Sequence, residues 1–259
     1  MRAPTTQRDL DPHHLERPRT DRTPHPPRAT LRGLRPISRW LLRRRYDVRV
    51  TGAGRVPAAG PVILAANHVG VIDGPLLAIF APRPVHALTK IEMFQGRLGR
   101  FLHLSGQIPL DRMVADPAAV KQAVRVLRDG GVVGVFPEGR RGAGELDRFH
   151  RGAAYLALVT GAPVVPVILI GTREPGGHTG SLPRRGARIE LVIGAPFTLE
   201  QMPWPRRRAD VETASLRLRD RMLDDLREAL VTTGRRLPGP LPSGELEPDP
   251  SGGVTGTTT

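Results

Sequence analysis

The sequence predicts a single α/β domain, with a largely parallel central sheet flanked by helices and with disordered termini. Three observations carry that prediction. Short β-branched runs alternate with segments of helical apolar spacing, and Gly and Pro mark the junctions between them. Both ends of the 259-residue chain are too polar and proline-rich to contribute a core, so one domain fits the length better than two.

Residues 1–30 scatter Pro4, Pro12, Pro18, Pro24, Pro26 and Pro27 among charged groups and read as a disordered basic tail. Residues 31–46 read as a basic amphipathic helix, because Leu31, Leu34, Ile37, Trp40 and Leu41 recur at near-helical spacing and arginines fill many of the other positions. Such a helix either docks its apolar stripe on the domain or lies in a lipid interface with its arginines on headgroups.

The domain itself spans residues 47–234. Pro61 to Ala66 reads as a buried strand, Pro75 to Phe80 as the start of a helix, and Val85 to Thr89 as a second strand. Asp116 to Arg128 is a helix with Asp116 as cap, Pro117 at its first position and Gly130-Gly131 as its stop. Val132 to Phe136 follows as a strand, Gly152 to Thr160 as a helix ended by Gly161, and Pro163 to Ile170 and Ala187 to Ile193 as further strands. Val211 to Leu230 is a charged outer helix, and residues 235–259 form a second disordered tail.

A net charge of +14 calls for an anionic partner. Its distribution is more telling than its sum, since Leu31 to Arg49 holds seven arginines against Asp47 alone. Nucleic acid is not expected as that partner, because aromatic residues are scarce and no readout module is recognisable. The absence of cysteine excludes disulfides, thiolate nucleophiles and cysteine-bound zinc, and the histidines lack zinc-protease spacing. No segment is long and apolar enough to span a membrane and no secretory leader opens the chain, so a peripheral location on the cytoplasmic face of the cell membrane is expected.

Two segments, each leaving a predicted strand, carry the chemistry. In Asn67-His68-Val69-Gly70-Val71-Ile72-Asp73, positions five apart do not share a helical face, so His68 and Asp73 meet only if Val69-Gly70 turns the chain. Asp73 is then a candidate helix N-cap whose carboxylate also faces the imidazole and makes His68 a general base. Standing alone, a His and an Asp at this distance are more often unrelated surface or capping residues. The second segment, Phe136-Pro137-Glu138-Gly139-Arg140-Arg141, offers arginines on a Gly-relaxed turn that suits bidentate phosphate binding or is simply an exposed basic loop. Ahead of it, Arg112 is a further phosphate ligand or the ion-pair partner of Asp111.

With those residues in view, the chain resembles the 1-acylglycerol-3-phosphate acyltransferase family over about Val48 to Phe197. Four blocks match in order: Asn67-His68 to Asp73, Gly106 to Arg112, Phe136 to Arg141, and Ala162 to Val167. Arg140 stands where the third block usually has Thr, Pro109-Leu110 replaces an aromatic-Ile pair in the second, and His150 replaces a usual Lys. The resemblance implies a glycerol-3-phosphate acyltransferase-like fold and acyl transfer from acyl-coenzyme A or acyl carrier protein to a lysophospholipid such as lysophosphatidic acid. It implies His68 and Asp73 as the catalytic pair, Arg112, Arg141 and Gly139 around the acceptor phosphate, and Glu138 either on the acceptor or pinning an arginine. The thioester is a cosubstrate, and the scheme needs neither cofactor nor metal. Lacking Cys and a Gly-x-Ser-x-Gly elbow, the chain offers no obvious nucleophile for an acyl-enzyme, so direct attack by the acceptor hydroxyl is expected. Related acceptors, such as another lipid or a glycolipid, remain open.

Overall fold

The computed structural model describes residues 16–245. Seven strands form one sheet in the order β1-β7-β6-β2-β5-β3-β4, where β1 is Asp47–Thr51, β2 Val62–Ala66, β3 Val85–Lys90, β4 Ile108–Leu110, β5 Val132–Val135, β6 Val164–Ile170 and β7 Arg188–Ile193. Every neighbouring pair is parallel except β6 with β7, so the mixed edge lies on one side of an otherwise parallel sheet. Among the described residues there are six α-helices: α1 Ala29–Arg45, α2 Asp73–Phe80, α3 Gly96–Leu104, α4 Pro117–Arg128, α5 Gly152–Thr160 and α6 Arg208–Thr233.

The period of two along each strand divides the core into layers. Ile63 and Ala65 of β2, with Val133 and Val135 of β5, face α4, α5 and α6. Val62, Leu64 and Ala66, with Val165 and Val167 of β6, face α2 and the Leu42 end of α1. Strands buried on both faces read as unbroken apolar runs, as β2 and β6 do. Pro166 is tolerated inside β6 because its carbonyl, and hence its imide nitrogen, points to the β7 side just beyond the last ladder pair, where Gly194 N–H donates to Pro166 O at 2.9 Å.

Several elements differ from their sequence reading. β1, α3 and β4 were not foreseen as elements: β1 is a short edge strand broken by charges, and α3 carries two glycines. The outer helix α6 is longer than expected and buries Val211, Leu218, Met222 and Leu226 on its inner face. Residues 16–28, read as tail, lie against the domain. Arg128 holds the carbonyls of Glu16 and Pro18 and the Thr20 hydroxyl, and Thr20 is buried. At the other end, Glu245 accepts from Thr179 N at 2.9 Å, and Leu237 packs against the cluster of Ile168, Ile170, Leu226 and Ala229. Residues 1–15 and 246–259 of the two expected tails lie outside the described residues.

The amphipathic helix α1 is present, but it does not dock by its apolar stripe. Arg39 donates from Nε to Ile79 O at 2.7 Å and from Nη2 to Ala81 O at 3.0 Å, and Arg35 reaches the same two carbonyls. These guanidinium groups satisfy the orphan carbonyls at the carboxyl end of α2. Leu34, Ile37, Trp40 and Leu41 are left exposed on the other side. Among the described residues, no helix is long and apolar enough to cross a membrane.

Candidate active site

Four strands, β2, β5, β3 and β4, run parallel, so their carboxyl ends share one edge of the sheet, where open α/β folds place their ligands. His68 leaves β2 there and Phe136 leaves β5. The first anchor is Asn67, fully buried, whose side chain donates to Leu169 O at 3.1 Å and accepts from Leu169 N at 2.7 Å. This two-sided bond stitches the end of β2 to β6 and fixes where the next residue projects.

His68 Nδ1 lies 2.8 Å from Asp73 Oδ2. The same oxygen accepts from Val69 N at 2.6 Å and Gly70 N at 2.8 Å. An oxygen already receiving two amide protons is an acceptor, so Nδ1 is the protonated nitrogen and Nε2 carries the lone pair. Asp73 is the first residue of α2, with Ile72 at the N-cap, which corrects the capping position expected for it. Its carboxylate instead caps the turn 68–70 from within, at a helix amino end that favours negative charge. Asp73 is fully buried, and its other oxygen, Oδ1, has no hydrogen-bond partner among the described residues.

Gly70 is needed for a reason other than turn flexibility. A Cβ there would sit 2.2 Å from Thr172 O, so only glycine lets the His68 turn approach the chain leaving β6. Arg173, the next residue along, is 2% exposed and is the largest fully buried side chain among the described residues. Its guanidinium donates to Val69 O at 3.2 Å, Gly142 O at 3.1 Å, Gly177 O at 3.0 Å and Gly239 O at 2.6 Å. Burial lowers its pKa from the ordinary arginine value, and the charge of Asp73 opposes that shift. Arg173 thus ties the His68 turn to the loop after β5. The sequence reading missed it, and the one signal in the chain was a charged residue three positions after a seven-residue apolar strand.

The loop after β5 closes on His68 from the other side. Phe136 stacks on the imidazole with ring centroids 4.3 Å apart, and Gly142 N donates to His68 O at 2.9 Å. Glu138 Oε1 accepts from His68 N at 2.7 Å, so this carboxyl holds the backbone of His68, a role outside both sequence alternatives. Burial pushes the Glu138 carboxyl up to about 8, and the nearby Asp73 charge acts in the same direction. Gly139 has φ +69°, a conformation that favours glycine, and its carbonyl receives the Arg112 guanidinium. Arg112 and Gly139 are therefore brought together with the His68 loop. Arg141 donates to Thr179 O at 2.8 Å.

A cavity of about 710 Å³ opens beside this cluster. Leu110, Val120, Val135, Tyr155, Leu156 and Val211 contribute to its wall, which also includes Phe136, Gly139 and Arg112. The space is thus predominantly apolar where it runs between α4, α5 and α6, and polar where it meets the loop after β5.

Known proteins resemble the chain in sequence and in fold. A family model described as Acyltransferase matches residues 47–170. A 1-acyl-sn-glycerol-3-phosphate acyltransferase of Bacillus subtilis is 30% identical over 159 residues, covering 61% of this chain and 77% of the relative. One from Borreliella burgdorferi is 33% identical over 147 residues, covering 53% of this chain and 56% of the relative, little more than half its length. In fold, the chain is similar to the crystal structure of the 1-acyl-sn-glycerophosphate acyltransferase of Thermotoga maritima, with a TM-score of 0.55 and 22% identity over 76% of this chain and 80% of that one.

Proposed function

This chain belongs to the 1-acyl-sn-glycerol-3-phosphate acyltransferase family, and we propose that it transfers a fatty acyl group from acyl-coenzyme A or acyl carrier protein to the free hydroxyl of 1-acyl-sn-glycerol 3-phosphate, giving phosphatidic acid. The observation that carries this reading is the His68–Asp73 pair, whose Nδ1–Oδ2 contact of 2.8 Å leaves Nε2 as the basic atom.

In the proposed reaction, Nε2 takes the proton of the acceptor hydroxyl as its oxygen attacks the thioester carbonyl. Asp73 stabilises the imidazolium that forms and holds the ring orientation through the step. The tetrahedral intermediate collapses with loss of the thiolate, which recovers the proton from His68. Arg112 and Arg141 take the acceptor phosphate, and Glu138 with Gly139 shapes the loop that presents it; orientation of this kind accounts for a large share of rate in bimolecular transfers. The apolar cavity reaching Phe136 is suited to an acyl chain. The exposed apolar residues of α1, flanked by arginines, support peripheral work on an anionic membrane, for which the cytoplasmic face is the location proposed.

The test is release of free thiol from palmitoyl- or oleoyl-coenzyme A by the purified chain with lysophosphatidic acid, and then with a panel of other lysolipids and glycolipids. Release dependent on a phosphomonoester acceptor supports the reading. Release that is equal with acceptors lacking the phosphate replaces the acceptor and the arginine roles.

A further inference from the structure

The fold exposes a second apolar surface that neither the catalytic site nor α1 accounts for. Ile91, Met93, Leu98, Phe101 and Leu104 are 39–60% exposed, all within the connection from β3 to β4. On α3, Leu98, Phe101 and Leu104 follow one another at three-residue spacing and so share a face. The helix is held in this orientation by its opposite side. Gly99 is buried, and a Cβ there would meet the Phe94 backbone at 2.2 Å, while the rings of Phe94 and His103 touch with centroids 4.8 Å apart. The apolar face therefore cannot rotate inward without losing the close approach that Gly99 allows.

We propose that this face of α3 is a lipid-contacting surface, inserting Leu98, Phe101 and Leu104 among the acyl chains of an anionic bilayer. Charge complementarity selects that occupant. Arg97 and Arg100 flank the stripe and are exposed, and Glu92 is the only acidic residue between Gly74 and Leu110. Arginines bordering an apolar stripe suit phosphate headgroups, with the stems covering apolar surface. A second copy of the chain on the same face would bring Arg97 and Arg100 against identical arginines.

Two further features agree with the assignment. Ile91 and Met93 begin at the carboxyl end of β3, the same edge of the sheet at which His68 leaves β2, so the surface adjoins the side from which an acceptor in the membrane would arrive. The chain entering α1 also lies against the end of α3, since a Cβ on Gly106 would sit 2.2 Å from Pro27 O. The two exposed helices are thus neighbours there, and together they fix the domain's orientation on the bilayer.

The inference rests on the lipid-acceptor reading for its purpose, but its test needs no turnover. The chain has no cysteine, so Leu104→Cys provides a single point for an environment-sensitive fluorophore on the full-length protein. With vesicles of phosphatidylcholine containing about 30% phosphatidylglycerol, the probe is expected to shift to the blue and brighten. The triple variant Leu98→Ser, Phe101→Ser, Leu104→Ser is expected to partition onto those vesicles about tenfold more weakly or worse. Its thiol release from short-chain, monomeric substrates should stay at the level of the parent, which separates failure of this surface from failure of the acyl-transfer reading. Arg97→Glu with Arg100→Glu reads the same surface through charge and should remove the preference for phosphatidylglycerol. An unshifted probe, unchanged partitioning of the triple variant, or a loss of self-association in place of vesicle binding would overturn the assignment.

Discussion

The imidazole of His68 reaches the carboxylate of Asp73 at 2.8 Å across a five-residue, non-helical turn, and the same carboxylate oxygen holds the amides of Val69 and Gly70. One side chain therefore sets both the backbone turn and the tautomer of the proposed base. Asp73→Asn keeps the shape but supplies a poorer acceptor and permits the wrong tautomer. We expect kcat to fall about 10³-fold, with both KM values changing less than about threefold. Steady-state kinetics on the folded variant checks this.

Arg173 acts on the same turn from outside the site. Its bonds to Val69 O and Gly142 O hold the His68 and Glu138 loops in register. Arg173→Lys keeps the charge and loses the fork, so the loops loosen without losing a substrate contact. The expected result is a kcat lower by about tenfold with KM for donor and acceptor unchanged within about twofold. A rise in KM with kcat intact would instead make Arg173 a substrate ligand.

Glu138 gives a pH dependence of stability with a defined sign. Burial raises its folded pKa from 4.5 to about 8, so above pH 4.5 the folded protein retains a proton that the unfolded chain has released. Its stabilising contribution is complete below pH 4.5 and is lost as pH rises through about 8. The slope within that window is about 1.4 kcal/mol per pH unit for one proton. Glu138→Gln keeps an acceptor for His68 N and removes the titration, so urea denaturation across the window should give a flatter profile than the parent. Parallel profiles would show that the carboxyl is ionised in the folded state.

Arg141 and Arg112 are assigned to the acceptor, so their loss should be felt by one substrate. Arg141→Ala is expected to raise acceptor KM by about tenfold while donor KM moves less than about twofold. Equal effects on both substrates would make Arg141 a structural brace for the loop that carries Thr179, whose carbonyl it holds.

Much of this architecture was legible in the chain because its signals are local. The strands β2 and β6 are unbroken apolar runs, and the cap of α4 is spelled out by Asp116-Pro117, whose carboxylate accepts from Ala118 N and Ala119 N. The meeting of His68 with Asp73 could be inferred because five-residue spacing demanded a turn at Val69-Gly70, although the need for glycine there comes from the close approach of Thr172 O. What the chain concealed is long-range. The Asn67–Leu169 clasp joins residues 102 positions apart, and Arg173 reaches Gly239 across 66. The partner of Glu138 is a backbone amide, which leaves no mark in side-chain patterns. The outward stripe of α1 was also hidden, since whether arginines or leucines dock depends on the carbonyls that α2 leaves at Ile79 and Ala81.

The measurement that tests the central claim most directly is acceptor-dependent thiol release by His68→Ala beside the parent chain, at equal concentrations of folded protein. Loss of at least about 10³-fold in kcat, with an unchanged unfolding midpoint, is the result expected of a general base at His68. Turnover within a few-fold of the parent would contradict it and move the proton transfer to another group.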